Sequence, residues 1–365
     1  MSRREILSHH SLRGIAAILV AFYHFRDAIY DKSAALDALT PFFANGYLWV
    51  DLFFVLSGFV LTYVYYKPSE TPPSSQVLDW RRFLSARFAR IYPLHLFTLL
   101  MLLAFESALH LGHLTTEPIF DGQRRSIESF GANLILIQGW GIFNTLTWNF
   151  PSWSISTEAF AYLVFPFLMF ILSTSRIKGT IGFLLFGVLM IGFILTNNEK
   201  IEDAYPLLRC LGEFLLGVSA YSVWEKIGGL SLAQANFMQT IAIGGVIASM
   251  HLDFNDGVSV GFFVLLVVST ADDRGWLSRI LNFRPLVYLG VISYSTYLVH
   301  GLLHFAYWQL GGHVFSGIAS HYSATKVSIL KVTSLLALSI LIASFTYRYV
   351  EVPARNYFRK KQSRS

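Results

Sequence analysis

The chain has 365 residues and a formal net charge of +6, with 54% hydrophobic and only 14% charged residues. Its mean hydropathy is +0.51. Soluble domains carry about 25% charged residues, so this composition excludes an ordinary soluble domain and predicts an integral membrane protein. The single cysteine, Cys210, excludes a disulfide bond within the chain.

Long apolar stretches follow one another along the whole sequence. A helix needs about 20 predominantly apolar residues to cross a bilayer, and this criterion predicts an all-α integral membrane protein with ten transmembrane helices. The seventh and eighth are the weakest predictions, because they are short and only the turn HLDFND separates them. The predicted spans are residues 12–31, 47–66, 91–112, 152–174, 179–197, 204–225, 236–251, 257–271, 285–310 and 327–350.

Basic residues fall mainly on one side of these predicted spans. The N-terminal segment, the second loop and the C-terminal segment with its run FRKKQSR all belong to that side. Loops rich in Lys and Arg stay in the cytoplasm, so both termini are predicted to be cytoplasmic. We expect a single membrane domain over residues 1–351 and a basic cytoplasmic tail over residues 352–365.

One long loop, residues 113–151, lies on the opposite side of the predicted membrane. It contains FGANLILIQGWGIFN, which is too short and too rich in glycine to cross a bilayer. The sequence therefore predicts a segment that re-enters the membrane, or a surface helix that covers a cavity.

Ionisable residues are costly inside a membrane and usually face an internal cavity. At 1.5 Å per residue, five of the six candidates are expected at a similar depth, in a polar chamber near the outer face. For each of them, an internal ion pair that only holds helices together is the alternative. These five are His24, Asp51, Glu158, Arg209 and His300, and the sixth candidate is Glu213.

Arg13 and His24 stand eleven residues apart on the first predicted span. At 100° and 1.5 Å per residue they share nearly one face of the helix and lie about 16 Å apart, so one ligand can contact both. Arg13 is near the start of its helix, where free N–H groups also favour an anion. Arg87 and Arg90 are predicted to join it around phosphate groups, which suit guanidinium geometry. Topology alone is the alternative explanation for such basic residues.

Seven motifs that occur in order along nearly the whole chain resemble the membrane-bound acyltransferase-3 family. The chain departs from the family at His10, where many members carry an acidic residue three positions before the arginine. The motifs are Arg13 with His24, DLFFVLSGFVLT at 51–62, RFARIYP at 87–93, WSISTEAFAYLVFP at 153–166, RCLGEFLLGV at 209–218, ISYSTYLVH at 292–300 and YRYVEVPA at 347–354.

The resemblance implies a multi-pass enzyme of the bacterial inner membrane. Such an enzyme moves an acyl group, usually acetyl, from cytoplasmic acetyl-CoA to a hydroxyl of an extracytoplasmic glycan or glycolipid. His24 then looks like the catalytic histidine, Arg13 its partner at the CoA end, and Glu158 a second functional acid. Histidine suits a base because its unperturbed pKa is about 6.5, and it also suits a nucleophile that carries the acyl group. Both mechanisms remain open.

Other residues are predicted to contact the acceptor. Trp153 is expected to stack on a sugar, with an interfacial position as the alternative. Tyr294 is expected to line the cavity, with core packing as the alternative, and Asp51, Arg209 and His300 complete the predicted substrate site. Ser57 and Gly58 are interpreted as small residues that permit close helix packing rather than as a nucleophile.

The histidines outside the spans lack the spacing of metal ligands, so no metal is predicted. The predicted partners are a saccharide acceptor and membrane lipid, without a nucleic acid. A proton-coupled transporter or exporter of a lipid-linked saccharide would also carry buried His, Glu and Arg. A non-catalytic membrane partner in polysaccharide assembly is a third interpretation. The arginine cluster in register with a buried histidine favours the acyltransferase, because a transporter has no evident need for it.

Overall fold

The computed structural model describes residues 4–29, 39–66, 79–113, 122–197, 200, 205–319 and 322–362. Over these residues the chain forms helices and turns and contains no strand, which confirms the all-α prediction. The α-helices are α1 Leu7–Phe25, α2 Trp49–Tyr65, α3 Trp80–Leu111, α4 Ile127–Leu134, α5 Ser152–Thr174, α6 Arg176–Asn197, α7 Pro206–Lys226, α8 Leu232–His251, α9 Asp256–Thr270, α10 Trp276–Leu281, α11 Arg284–Val291, α12 Ser293–Ala319, α13 Ala324–Thr346 and α14 Val352–Gln362. Short 3₁₀ helices cover Arg26–Ile29, Pro41–Leu48 and Gln123–Arg125, and a π-helical turn covers Tyr347–Glu351.

Six helical stretches in the described part of the chain are long and apolar enough to cross a membrane. A seventh span results if α11 and the first part of α12, which meet at an angle of 65°, are counted together. The chain is thus a multi-pass membrane protein, although the predicted count of ten spans is not confirmed. The six stretches are Pro41–Tyr65, Trp80–Leu111, Ser152–Thr174, Arg176–Asn197, Pro206–Lys226 and Ala324–Lys360.

The three other predicted spans correspond to helices that are too polar or too short for this criterion. The helix α1 carries Arg13 and a polar first turn, and α8 carries Gln234 and Gln239. The helix α9 has 15 residues and extends for about 22 Å, whereas the hydrocarbon core of a bilayer is about 30 Å thick.

The cytoplasmic location of both termini stays a prediction. Residues 352–362 of the predicted tail form α14, and the ring of Phe358 lies 6.0 Å from the ring of Phe88 on α3.

The polar helix α1 lies inside the bundle, where it packs against α2, α11, α12 and α13. Its Ala16, Ala17 and Val20 are fully buried. A Cβ atom on Gly290 of α11 would lie 1.9 Å from the carbonyl oxygen of His10, so only glycine allows this approach. Protein side chains rather than lipid therefore surround the charged groups of α1.

Close backbone contact also joins α2 and α7. A Cβ atom on Gly58 would lie 2.0 Å from the carbonyl oxygen of Phe214, and one on Gly217 would lie 2.1 Å from that of Val55. Gly58 thus has the packing role predicted for it. Its neighbour Ser57 instead lies on the wall of a cavity between α1, α2, α3 and α5.

Residues 122–151, which lead into α5, fold back into the bundle. The hydroxyl of Tyr92 donates to the carbonyl oxygen of Leu134 at 2.9 Å, and His95 Nε2 lies 2.8 Å from the carbonyl oxygen of Asn133. Tyr92 is twelve residues, or about 18 Å, along the 32-residue helix α3. The end of α4 therefore reaches the middle of α3, as in a re-entrant segment, and α5 begins inside the protein.

Candidate active site

A cavity of about 320 Å³ lies between α1, α2, α3 and α5. The helix α1 contributes Arg13 to its wall, α3 contributes Arg87 and Arg90, α5 contributes Glu158, and α2 contributes Ser57. The three arginines that were predicted to surround phosphate groups therefore meet in one place. We call this space the arginine cavity.

The guanidinium groups of the arginine cavity have unused hydrogen-bond donors. Neither Arg13 nor Arg90 makes a side-chain hydrogen bond or an ion pair with the residues that the structure describes. Arg87 donates to the hydroxyl of Tyr65 at 3.4 Å, while its buried Nε has no partner. Each guanidinium offers five donors, and unpaired charge away from bulk water is costly. The cavity is therefore suited to an anionic ligand with several acceptor oxygens.

Glu158 is the acidic residue of the arginine cavity that lies within the bundle. Its Oε1 accepts hydrogen bonds from the hydroxyl groups of Ser57 and Tyr162, each at 2.6 Å. Its negative charge also acts on Arg13. Glu5 and Arg4 also line the cavity, so four arginines outnumber two carboxylates and the cavity stays cationic.

The structure corrects the predicted depth of Glu158. Helix geometry predicts Glu158 at the level of His24, but His24 does not line the arginine cavity and Glu158 does. The prediction assumed that α5 starts at the outer surface. The re-entrant segment instead makes α5 start inside the bundle, and Glu158 lies almost two turns further along it.

His24 lies with two other histidines at the opposite end of α1. The centre of its ring is 5.2 Å from that of His300 and 6.3 Å from that of His304, and the ring of Phe150 lies 4.6 Å away. His300 is fully buried. We call His24, His300 and His304 the histidine cluster.

Hydrogen bonds fix the tautomers of two of these histidines. His24 Nδ1 lies 3.0 Å from the carbonyl oxygen of Val20, which only accepts, so Nδ1 carries the proton and Nε2 keeps its lone pair. The indole N–H of Trp308 donates to His304 Nε2 at 3.0 Å, so this nitrogen is an acceptor. In neutral His24, Nε2 is therefore the basic atom.

One layer of side chains separates the arginine cavity from the histidine cluster. The hydroxyl of Ser154 donates to the hydroxyl of Tyr297 at 2.8 Å, and the ring of Tyr297 lies 5.7 Å from Phe53 and 5.5 Å from His300. Phe53 is one helical turn from Ser57 on α2. The path from Ser57 to Phe53 covers about 6 Å along α2, and the path from Tyr297 to His300 covers about 4.5 Å along α12. The two sites are therefore about 10 Å apart along the helix axes.

Asp51 and Arg209, both predicted to bind substrate, form a buried ion pair with each other. Arg209 Nε and Nη2 donate to the two carboxylate oxygens at 2.6 and 3.0 Å, and Nη2 also contacts the carbonyl oxygen of Tyr47. Trp153 covers the pair, with its ring centre 5.2 Å from Arg209 Cζ. This geometry fits the alternative in which the pair joins α2 to α7. The predicted substrate contacts of these residues stay predictions.

Tyr294 also uses its hydroxyl within the protein. It donates to the carbonyl oxygen of Ile91 at 2.5 Å, which links α12 to α3. Tyr294 is buried and does not line the arginine cavity. Its geometry fits the core-packing alternative, and its contact with substrate stays a prediction.

Three residues near these sites were not singled out from the sequence. Tyr162 lines the arginine cavity and His304 belongs to the histidine cluster. Glu351 is buried in the π-helical turn, accepts a hydrogen bond from Ser295 and acts by its charge on Arg90. Tyr162 and Glu351 lie inside motifs that carried the resemblance, and His304 follows His300 by one helical turn, so each had a sequence signal.

Among the residues with described positions, no group of three or more His, Cys, Asp or Glu side chains is arranged to hold a metal ion.

Residues 8–348 match the family model for the acyltransferase domain, which describes the acyltransferase-3 proteins. The chain belongs to this acyltransferase family. The predicted family and enzyme class are thereby confirmed, and nothing supports a transporter.

Named proteins of similar sequence extend this finding. Acyltransferase MdmB of Streptomyces mycarofaciens is 26% identical over 377 residues, which cover 96% of this chain and 92% of MdmB. Peptidoglycan O-acetyltransferase OatA of Listeria monocytogenes is 24% identical over 394 residues, or 98% of this chain. A putative O-acetyltransferase of Staphylococcus aureus is 24% identical over 390 residues, or 96% of this chain. The matches cover 58% of the length of each of the last two proteins. No solved structure matches the chain.

Proposed function

We propose that this acyltransferase takes an acetyl group from acetyl-CoA on the cytoplasmic side and transfers it to a hydroxyl of an extracytoplasmic saccharide or glycolipid. The observation that carries the proposal is the arginine cavity, where Arg13 and Arg90 make no side-chain hydrogen bond or ion pair with any residue at a described position. The names of OatA and of the Staphylococcus aureus relative support an acetyl group and an oxygen acceptor. We place the enzyme in a bacterial cytoplasmic membrane.

The donor binds with its phosphates in the arginine cavity. Guanidinium groups pair with phosphate oxygens through two parallel hydrogen bonds, and Arg13, Arg87 and Arg90 supply such groups from two helices. The excess of Lys and Arg on the same side of the sequence supports a cytoplasmic opening. From there the pantetheine arm extends beside α1 towards His24, over about 16 Å between Arg13 and His24.

The acceptor reacts at the histidine cluster. His24 Nε2 has a lone pair available, so it removes the proton from the attacking hydroxyl or, alternatively, carries the acetyl group itself. Trp308 lies beside His304 and is half exposed, so its indole offers a face for a sugar ring. The saccharide acceptor itself is assigned only by class.

Sealed membrane vesicles of both orientations test the direction of transfer. Radiolabelled acetyl-CoA is supplied outside, and base-labile label is measured on saccharide inside and outside. We expect label to cross only in vesicles whose cytoplasmic face is outward. Label that remains on saccharide in the compartment of supply would contradict transfer across the membrane.

A matched pair of arginine variants tests the donor site. Arg90→Ala removes a guanidinium from the cavity, so we expect KM for acetyl-CoA to rise by about tenfold or more. Arg81→Ala is the control, because Arg81 lies on the same helix with its side chain exposed outside the cavity. Equal KM values for the two variants would contradict donor binding in the arginine cavity.

A further inference from the structure

Glu158 uses only one of its two carboxylate oxygens in contacts with the protein. Oε1 accepts hydrogen bonds from Ser57 Oγ and Tyr162 OH, both at 2.6 Å. Oε2 makes no hydrogen bond with any residue at a described position, and all three side chains line the arginine cavity. Two hydroxyl donors from α2 and α5 therefore fix the orientation of the carboxylate and leave one strong acceptor for a ligand.

A carboxylate is an unexpected group in a cavity for phosphates, because like charges repel one another. Its presence is explained if the same ligand also carries hydrogen-bond donors. Acyl-CoA has this chemistry, since its pantetheine arm contains two secondary amides beyond the phosphates. An amide N–H that donates to an ionised carboxylate forms a charge-assisted hydrogen bond, which is stronger than a neutral one.

We propose that Glu158 binds the donor by accepting a hydrogen bond from an amide N–H of the pantetheine arm, and that Ser57 and Tyr162 are its positioning residues. The inference rests on the proposed function, because it takes acyl-CoA as the ligand. It gives Glu158 a role at the donor rather than at the reacting hydroxyl.

The position of Glu158 between the arginines and the histidine cluster supports this role. Ser154 precedes Glu158 by one helical turn and contacts Tyr297, which borders His300. An arm held at Glu158 is therefore directed towards Tyr297 and His24. A direct part in proton transfer would require Glu158 within hydrogen-bond distance of the reacting hydroxyl, and about 10 Å of helix separates the two sites.

Two probes separate the arm from the phosphates. CoA carries both parts, whereas adenosine 3′,5′-bisphosphate carries phosphates without the pantetheine arm. Titration calorimetry on the purified protein in lipid nanodiscs gives the affinity of each. We expect Glu158→Gln to weaken CoA binding about tenfold and to leave bisphosphate binding unchanged or stronger, since a negative charge has been removed near the phosphates.

Variants of the positioning residues Ser57 and Tyr162 are expected to change the affinity for CoA alone. We expect Ser57→Ala and Tyr162→Phe to weaken CoA binding by a smaller factor without changing bisphosphate binding, and Ser57→Thr to restore the affinity for CoA. Equal weakening of both probes by Glu158→Gln overturns the proposal. So does a Glu158→Gln variant that binds CoA like the parent but has a lower kcat, because Glu158 would then act in the chemical step. If the parent binds neither probe, the acyl-CoA donor itself is wrong.

Discussion

A single hydrogen bond within its own helix leaves His24 Nε2 available as a base or nucleophile. The carbonyl oxygen of Val20 holds the proton on Nδ1, so the lone pair on Nε2 is available for a proton or an acyl group. Phe150 and His300 pack against the ring and limit its movement. A base that is fixed in both tautomer and position loses little freedom when the acceptor arrives.

Replacement of His24 tests this role. We expect His24→Ala to lower acetyl transfer by about 10²- to 10⁴-fold, the usual contribution of a general base. The affinity for CoA is expected to stay at the parent value, because His24 does not line the arginine cavity. His110→Ala, an exposed position on α3, is the control. If His24→Ala transfers acetyl at the parent rate, His24 has no part in the mechanism. If labelled acetyl is found on His24 after acid quenching of the parent protein, His24 is the carrier of the acetyl group.

At the scale of helices, α2 is held between α7 and the helices that line the arginine cavity. Gly58 and Gly217 bring the backbones of α2 and α7 into contact, and the Asp51–Arg209 pair joins the same two helices. Ser57, next to Gly58, hydrogen-bonds to Glu158 of α5. The packing of α2 and α7 therefore sets the position of one wall of the arginine cavity.

A glycine pair tests the contribution of this contact to stability. Gly58→Ala places a methyl group 2.0 Å from a carbonyl oxygen of α7, and we expect a loss of about 1–3 kcal/mol in the free energy of unfolding. Gly192→Ala is the control, because no atom lies within 4 Å of its added Cβ. Tryptophan fluorescence during thermal unfolding in detergent gives both midpoints. Equal midpoints would show that α2 and α7 are not in backbone contact.

A single and a double variant together test whether the Asp51–Arg209 ion pair acts in stability or in acetyl transfer. Arg209→Met leaves Asp51 buried without its partner, so we expect a loss of about 3–5 kcal/mol in stability. The double variant Asp51→Leu with Arg209→Met removes both charges and is expected to recover most of that loss. Thermal unfolding measures stability, and the transfer assay measures function. A stable double variant that binds CoA but no longer transfers acetyl would instead establish the predicted role of the pair at the acceptor.

At the scale of the whole molecule, the protein keeps a cationic site and a histidine site apart within one bundle. Phe53, Ser154 and Tyr297 from three helices form the layer between them. Under the proposed function, we expect this layer to limit the access of water from the far side to a thioester in the arginine cavity. Such exclusion suppresses hydrolysis of a reactive acyl group.

Opening this layer has a measurable consequence. We expect Tyr297→Ala to increase the hydrolysis of acetyl-CoA in the absence of a saccharide acceptor, because water then reaches the thioester. Tyr297→Phe keeps the ring and is expected to behave like the parent, while Tyr322→Ala serves as an exposed control. Release of free CoA thiol gives the rate. No increase for Tyr297→Ala would mean that this layer does not protect the donor.

The sequence alone predicts the helical fold, the membrane class and the position of Arg13 and His24 on one face of a helix. Each depends on local properties: helices follow from runs of apolar residues, and the shared face of Arg13 and His24 follows from helix geometry. The family could also be identified from motif order. These features need no knowledge of which helices are neighbours.

Which polar residues meet is visible only in the folded chain. The place of Glu158 depends on where α5 begins, and that depends on contacts of the re-entrant segment with Tyr92 and His95, about 40 residues away in the sequence. The same long-range packing brings Ser57 to Glu158, across 101 residues. The rise per residue gives the depth of a side chain only relative to an assumed start of its helix at the membrane surface. For a helix that starts inside the bundle, such as α5, the predicted depth is therefore wrong. The division into an arginine cavity and a histidine cluster therefore became visible only in the folded chain.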